Sequence, residues 1–171
     1  LWEREGFDKT NGIKQHRRAL AFANNKGKAL DVGCGCTGRL IDLVQSEGFA
    51  VEGVDISERM IALARKRHPD VVFHHEDICA WEIDDKYDFI TAWDSIWHIP
   101  LQQQEKVLGK LVASLNEGGI LILSFGGTEE LGDHTDDSMG PELYYSTLGI
   151  NRFLSFLIGL GCLCRHVEYD Q

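Results

Sequence analysis

Near its amino-terminal end the chain reads Lys28-Ala29-Leu30-Asp31-Val32-Gly33-Cys34-Gly35-Cys36-Thr37-Gly38-Arg39. Residues 29–32 are typical of the end of a buried strand, and residues 40–44 of the start of an amphipathic helix. The glycines between them allow a sharp turn and let a ligand approach the backbone without meeting a Cβ atom. Because nucleotide-like cofactors bind at such junctions in α/β sheets, the pattern predicts a cofactor site here.

Composition limits the class of protein. The chain has 171 residues, 43% of them hydrophobic, and a formal net charge of -10. These values fit one domain, and without a block of Lys or Arg they argue against nucleic acid as a partner. We see no signal peptide and no apolar stretch long enough for a bilayer, so we expect a cytoplasmic protein without a membrane partner. The five cysteines form no C-x-x-C pair, which predicts reduced structural thiols and no metal site.

Strand and helix patterns alternate from residue 28 onward, which predicts an α/β fold, a Rossmann-like three-layer sandwich with a mostly parallel sheet. Ser57 is the expected N-cap of the third helix. We expect helices over 13–23, 39–47, 57–66, 101–116 and 150–160, and strands over 28–32, 50–54, 71–74, 87–93, 120–125 and 162–169.

The domain organisation follows from these elements. Residues 1–171 are expected to form a single domain: an amino-terminal helical lid (1–27), a cofactor-binding half (28–125), a substrate-side loop (126–145) and a carboxyl-terminal helix and strand (146–171). The polar, acidic stretch 126–142 is too long for a simple connector. Its acids and His134 could bind a metal, but a solvated loop is the commoner meaning of such a stretch.

Two kinds of cofactor fit the glycine-rich turn. Residues 33–38 satisfy G-x-G-x-x-G, and Asp55 ends the second strand, as in nicotinamide-binding proteins. Asp31 directly before the glycines, Asp77 after the third strand and Gly118-Gly119 before the fifth strand point elsewhere. With these features the chain, from about residue 28 to 169, resembles the class I S-adenosylmethionine-dependent methyltransferases. A nicotinamide-dependent oxidoreductase and a catalytically silent cofactor-binding subunit are the alternatives.

The resemblance implies a role for each matching residue. Gly33, Cys34 and Gly35 would pack against the methionine and ribose of S-adenosylmethionine, and Asp55 would bind the ribose hydroxyls. Asp31, grouped with the cofactor-binding residues, would orient the loop rather than touch the ligand.

The remaining cofactor contacts implied by the resemblance follow the next strands. Ile56 would lie against the adenine face, and Asp77 with Ile78 would bind the adenine edge. Trp93 and Asp94 would lie near the methionine amino group and the transferred methyl.

The chain departs from the family pattern in two places. Thr37 stands where the family has a third glycine and Gly38 follows it, as if one residue were inserted, so the turn is expected to differ locally. The sequence also stops after the sixth predicted strand, so the family's last antiparallel strand is missing, and we expect the natural chain to continue.

Methyl transfer from a sulfonium needs a general base only when the acceptor must lose a proton. His98 and Asp94, just after the fourth strand, are the candidates; a structural histidine and a loop-ordering carboxylate are the alternative interpretations. Tyr144 and Tyr145 could cap the acceptor site or pack on the sheet. Residues 94–97 lack the N-P-P-Y pattern of methyltransferases that modify planar amino groups, which with the acidic charge favours a small-molecule acceptor.

Overall fold

Five parallel strands form the central sheet of the computed structural model, in the order β3-β2-β1-β4-β5. The structure describes residues 10–137 and 141–169. The elements are α1 (Ile13–Leu20), β1 (Lys28–Val32), α2 (Arg39–Ser46), β2 (Ala50–Asp55), α3 (Glu58–Arg67), β3 (Val72–His75), β4 (Tyr87–Ala92), two 3₁₀ turns (Ile96–His98 and Leu101–Gln103), α4 (Gln104–Ala113), β5 (Leu115–Leu123), β6 (Gly132–Asp136), β7 (Leu143–Thr147) and α5 (Ile150–Gly159).

The sheet is covered on both faces, because successive residues of each strand point to opposite sides. Leu30 and Ile90 belong to one apolar layer, which α4 and α5 complete with residues such as Leu108 and Phe153. Ala29, Phe89 and their neighbours belong to the other layer, which α2 and α3 complete. The predicted Rossmann-like three-layer sandwich with a mostly parallel sheet is confirmed.

The order of the strands brings the predicted site residues together. β1 lies between β2 and β4, with Asp31 beside Gly53 of β2 and Thr91 of β4. Because these strands are parallel, the loops after β1, β2 and β4 leave the sheet at the same edge. The glycine-rich turn, Asp55 and Asp94 therefore share one region although they are far apart in sequence.

Most predicted helices form within a few residues of their expected bounds. The Ser57 side chain caps α3 by accepting a hydrogen bond from the Met60 amide at 3.4 Å, as expected. The predicted helix 101–116 is shorter: a 3₁₀ turn follows Pro100, and α4 ends at Ala113. Residues 115–119, expected as the helix end and a turn, are part of β5, with a register shift between Tyr87 and Phe89 of β4.

The predicted sixth strand, residues 162–169, is wrong. Among the described residues this segment forms no strand and turns toward α1 instead. The guanidinium of Arg165 lies 5.9 Å from the ring centre of Phe22, and Arg18 pairs with Glu168 at 2.9 Å. Leu163 and Tyr169 of this segment are 70% and 68% exposed, so these apolar side chains are not buried against the sheet.

The stretch expected as a loop contains a strand. β6 pairs with β7 in an antiparallel hairpin, with His134 opposite Tyr145 and Thr135 opposite Tyr144. The expected boundary at residue 145 therefore falls inside β7. Four of the five β6 residues are exposed, so their pattern lacks the apolar alternation that marks a strand. The hairpin lies against the first 3₁₀ turn after β4.

Candidate functional site

A cavity of about 1340 Å³ opens at the carboxyl edge of the sheet. Its wall is formed by the β1–α2 turn, the residues that follow β2, β3 and β4, and the inner side of β7. Every residue predicted to bind a cofactor lines it: Asp31, Gly33, Cys34, Gly35, Asp55, Ile56, Asp77, Ile78, Trp93 and Asp94. The candidate base His98 lines it as well. The structure thus places all predicted site residues around one space.

Two glycines shape the turn in opposite ways. Gly33 has φ +71°, and a Cβ atom there would lie 2.3 Å from Cβ of Ser95, so this residue is tightly enclosed. Gly35 has φ +56°, but a Cβ atom there would meet no heavy atom within 4 Å. The backbone at Gly35 is therefore bare toward open space, as a turn that receives a ligand requires.

The carboxylate of Asp55 is held by the backbone. One oxygen accepts a hydrogen bond from the Gly35 amide at 2.9 Å, and the other accepts from the Ser57 amide at 2.8 Å. Each carboxylate oxygen has a second lone pair, so the group can still accept hydrogen bonds from a ligand. Ile56 beside it is 68% exposed, which leaves an apolar surface at the cavity wall.

Asp31 is buried beneath the turn. Burial raises its pKa to about 7, with the neighbouring charge of Asp55 adding to this and the Arg39 guanidinium opposing it. Asp31 was expected to orient the loop, but within residues 10–137 and 141–169 no group donates a hydrogen bond to its carboxylate. Its role in orienting the loop stays a prediction.

Asp77 begins the turn after β3. Its carboxylate accepts a hydrogen bond from the Cys79 amide at 2.8 Å, and the side chain is exposed. Ile78 is packed beside the apolar layer that contains α4, and its carbonyl oxygen accepts a hydrogen bond from Lys110 at 2.7 Å. The turn is thus fixed by local bonds, and one oxygen of Asp77 remains open to a ligand.

Trp93 and Asp94 follow β4, and the backbone of Asp94 has an unusual conformation. Asp94 has φ +51°, a left-handed backbone that non-glycine residues rarely adopt, and its amide donates to Ser124 Oγ at 2.7 Å. The Asn11 side-chain amide donates to Asp94 Oδ2 at 2.8 Å, and Trp93 Nε1 donates to Asn11 Oδ1 at 3.1 Å. The Arg39 guanidinium lies 3.7 Å from the same carboxylate oxygen.

His98 has a partner on each ring nitrogen. Nδ1 lies 2.9 Å from the carbonyl oxygen of Tyr144, and because a carbonyl only accepts, Nδ1 carries the proton. Nε2 accepts a hydrogen bond from Trp97 Nε1 at 3.0 Å. The ring centre of Tyr145 lies 4.8 Å from that of His98. These contacts leave Nε2 as the accepting nitrogen of the ring.

The family is shown by comparison with known proteins. A family model described as a methyltransferase domain matches residues 8–146, which is most of the chain. The chain belongs to the methyltransferase domain family. The resemblance to class I S-adenosylmethionine-dependent methyltransferases is therefore confirmed, and the family match decides against the nicotinamide alternative that the glycine spacing had left open.

Relatives of this methyltransferase domain are longer proteins. The chain is 30% identical over 124 residues to dTDP-3-amino-3,6-dideoxy-alpha-D-glucopyranose N,N-dimethyltransferase of Streptomyces fradiae, covering 71% of this chain and 46% of that protein. It is 25% identical over 126 residues to phosphoethanolamine N-methyltransferase of Plasmodium falciparum, covering 70% of this chain and 47% of that protein. The chain thus spans about half the length of these curated relatives.

Solved structures agree with the fold. An S-adenosylmethionine-bound amino pentose methyltransferase from Micromonospora echinaspora superposes with a TM-score of 0.74 at 19% identity, covering 95% of this chain and 87% of that one. A sugar N-methyltransferase from Streptoalloteichus gives a TM-score of 0.74 at 16% identity, covering 95% and 83%.

Sequence reasoning on this methyltransferase domain missed part of the site. Asn11 and Arg39, which it did not select, line the cavity, and Trp97, which it considered as a wall of a substrate pocket, lines it too. For Asn11 the only signal is an Asn-Gly pair before a helix, which predicts a turn but no partner. For Tyr145 the sequence allowed either capping of the acceptor site or packing on the sheet, and the structure places its side chain on the cavity wall. The hydroxyl of Tyr144 instead joins two other segments: it accepts a hydrogen bond from the Leu101 amide at 3.1 Å and donates one to Asp133 at 2.8 Å.

Two further observations concern metal sites and membrane-spanning helices. In the described part of the chain no group of three or more His, Cys, Asp or Glu is arranged to hold a metal. In the same residues no helix is long and apolar enough to cross a membrane.

Proposed function

We propose that the chain binds S-adenosylmethionine and transfers its methyl group to a small-molecule acceptor that loses a proton. The observation that carries the proposal is the pairing of Asp55 with Gly35: a carboxylate with spare lone pairs is fixed beside a bare, outward-facing backbone. When bound, this cofactor supplies an already activated methyl group. The protein then has to hold donor and acceptor in line.

The cavity fits the cofactor's chemistry along its length. Asp55 offers carboxylate oxygens to a ribose diol, and the exposed side chain of Ile56 offers an apolar surface to a purine face. Asp77 keeps an oxygen available for an adenine amino group. Trp93 and Asp94 lie at the other end, where the amino-acid part would reach.

His98 is the base that the geometry supports. The carbonyl of Tyr144 fixes the proton on Nδ1 and leaves the lone pair of Nε2 to accept. The Trp97 indole N–H donates to that lone pair, and the N–H or O–H group of a methyl acceptor would replace it there. Asp94, engaged by Asn11 and close to Arg39, suits a positioning role better than proton removal.

The acceptor class is supported by relatives and by the wall. The similar proteins are named for methylating an amino sugar nucleotide and phosphoethanolamine, both of which carry an amino group. In this chain the acceptor side is lined by aromatic and apolar groups, among them Trp97, Ile99 and Tyr145. A small amine or hydroxyl carried on an apolar or sugar-like body fits this surface.

Calorimetry with S-adenosylhomocysteine tests the cofactor. We expect micromolar binding to the unchanged chain and none of NADH. Asp55→Asn should weaken S-adenosylhomocysteine binding at least about 30-fold, since the amide nitrogen cannot accept, so the bidentate contact and one of the two bonds to the turn are lost. Asp70→Asn, an exposed carboxylate away from the cavity, is the matched control. Tight NADH binding without S-adenosylhomocysteine binding would overturn the proposal.

Turnover separates an enzyme from a silent cofactor-binding subunit. Methyl-labelled S-adenosylmethionine is offered with a panel of amino sugars, small amines, carboxylates and phenols. We expect transfer to at least one amine, and His98→Gln should reduce it about 100-fold with cofactor affinity unchanged. His166→Gln, at an exposed histidine, is the control. Cofactor binding with no transfer across the panel would favour the silent subunit.

A further inference from the structure

Asn11 joins the segment before α1 to two residues of the cavity. Its side-chain amide donates to Asp94 Oδ2 at 2.8 Å, and its side-chain oxygen accepts from Trp93 Nε1 at 3.1 Å. Its backbone carbonyl accepts from Arg39 Nε at 3.0 Å. One residue thus binds the chain after β4 and the first residue of α2.

The next residues hold Asn11 in place. Gly12 has φ +80° and lies so close to the indole of Trp93 that a Cβ atom would be 2.8 Å from Nε1. Its carbonyl oxygen lies 2.7 Å from Nδ1 of the buried His16, whose Nε2 lies 2.7 Å from Thr91 Oγ1 in β4. The turn therefore rests on the sheet through His16.

We propose that Asn11 is a positioning residue for the cofactor: its amide fixes Trp93 and Asp94 in the orientation that the methionine end of S-adenosylmethionine requires. This inference rests on the proposed function. Asp94 has a left-handed backbone and Trp93 packs on a glycine, so neither side chain is held by regular secondary structure. Asn11 supplies an acceptor to one and a donor to the other.

The chemistry of an amide is specific to this position. Asn11 must donate to a carboxylate and accept from an indole N–H at once, and only a side-chain amide does both in this geometry. An aspartate in its place would still accept from Trp93 but would set two carboxylates against each other. An alanine would leave both partners without their bond.

Affinity for S-adenosylhomocysteine is the first measurement. We expect Asn11→Ala to raise the Kd about 5-fold and Asn11→Asp about 20-fold, in line with one lost charge-assisted hydrogen bond and with added repulsion. Asn25→Ala and Asn25→Asp, at an exposed turn away from the cavity, make the same chemical changes and should leave the Kd within 2-fold. Equal affinity of the Asn11 variants and the unchanged chain overturns the inference.

The indole N–H signals distinguish positioning from general destabilisation. In ¹⁵N-labelled protein we expect Asn11→Ala to shift the Trp93 indole signal and speed its hydrogen exchange at least 10-fold, while the Trp97 signal stays in place. In a cycle with Trp93→Phe, the two substitutions together should raise the Kd less than the product of their separate effects. Independent effects, or an unmoved Trp93 signal, would contradict the role of Asn11.

The two proposals fail differently. If the unchanged chain does not bind S-adenosylhomocysteine, the proposed function is wrong. If it binds and the Asn11 variants bind equally well, the function stands and the positioning role is wrong.

Discussion

The two halves of the cavity are built by different means. On the cofactor side, consecutive residues at strand ends form the wall, and backbone amides fix the key carboxylate of Asp55. On the acceptor side, the 3₁₀ turn after β4 and β7 are joined by side chains, with Gln104 donating to the Ser146 carbonyl at 2.9 Å and Ser146 Oγ donating to the Ile99 carbonyl at 2.7 Å.

This difference determines how each half can vary. A turn whose bonds come from its own backbone amides depends mainly on conformation, so a few glycines and the one carboxylate that they bind specify it. A wall made of side-chain bonds between distant segments changes with any one of those side chains. We infer that the cofactor side is the fixed part of the molecule and the acceptor side the adaptable one, as expected when one fold serves many substrates.

The largest expected effect lies in the glycine turn. Gly33→Ala should lower the free energy of unfolding by about 3 kcal/mol or more, because a positive φ and a contact 2.3 Å from Ser95 both oppose a Cβ atom. Gly35→Ala, with a positive φ but no neighbour within 4 Å, should cost only about 1 kcal/mol. Urea unfolding measures both. Equal losses of stability in the two variants would show that the turn adjusts to a Cβ atom at Gly33, which would contradict a rigid cofactor side.

The second expected effect is a dependence of the free energy of unfolding on pH, caused by the buried side chain of His16. Burial lowers the pKa of His16 to about 4, so the stability it contributes is complete above pH 6.5 and is lost as the pH falls toward 4. The expected loss is about 3 kcal/mol. Asp31 has the opposite effect. Burial raises the pKa of its carboxyl to about 7, so its contribution to the free energy of unfolding rises as the pH falls below 7.

A variant isolates the histidine. His16→Gln keeps hydrogen-bonding groups but does not titrate, so the difference in unfolding free energy between it and the unchanged chain reports His16 alone. We expect the unchanged chain to be the more stable at pH 7.5, and this advantage to fall by about 3 kcal/mol by pH 4. A difference that stays constant with pH would rule out a buried neutral histidine.

The same comparison explains what the sequence predicted. The placement of the cofactor-side residues was predictable because they lie at or just after the ends of strands whose own patterns are visible, as Asp55 ends β2 and Asp77 follows β3. The offset Gly38 also has a local reason: it precedes α2 with φ +70°, and a Cβ atom there would lie 2.1 Å from His68 Nε2. The extra residue thus places a glycine where the turn packs closely against the residue that follows α3.

The missed parts depend on contacts between distant residues. β6 is polar and exposed, so only its pairing with β7 makes it a strand. Asn11 is 83 residues from Asp94, and no local pattern connects them. The expected strand over residues 162–169 does not form; instead Arg165 lies over the ring of Phe22 and Glu168 pairs with Arg18 of α1.

A smaller effect should separate the two halves by function. Ser146→Ala removes a buried hydroxyl that accepts from Gln104 at 2.8 Å and donates to Ile99, and should lower the free energy of unfolding by about 1–2 kcal/mol. Ser46→Ala, which removes an exposed hydroxyl from α2, is the control and should cost less than about 0.5 kcal/mol. The Kd for S-adenosylhomocysteine should not change, because the altered bond lies on the acceptor side alone. A weakened cofactor site would mean that the halves are coupled.

The smallest effect concerns the two adjacent tyrosines of β7. Tyr144→Phe removes the hydroxyl that binds the Leu101 amide and Asp133, so it should cost about 1 kcal/mol of stability. Tyr145→Phe should leave stability unchanged, since within the described residues its hydroxyl makes no hydrogen bond, yet it should alter the KM for an acceptor because the ring lies on the cavity wall beside His98. Urea unfolding and steady-state kinetics of the two variants test this pair. If Tyr144→Phe changed the KM more than Tyr145→Phe, the acceptor would be bound by the outer side of the hairpin, and the adaptable wall would have to be reassigned to that surface.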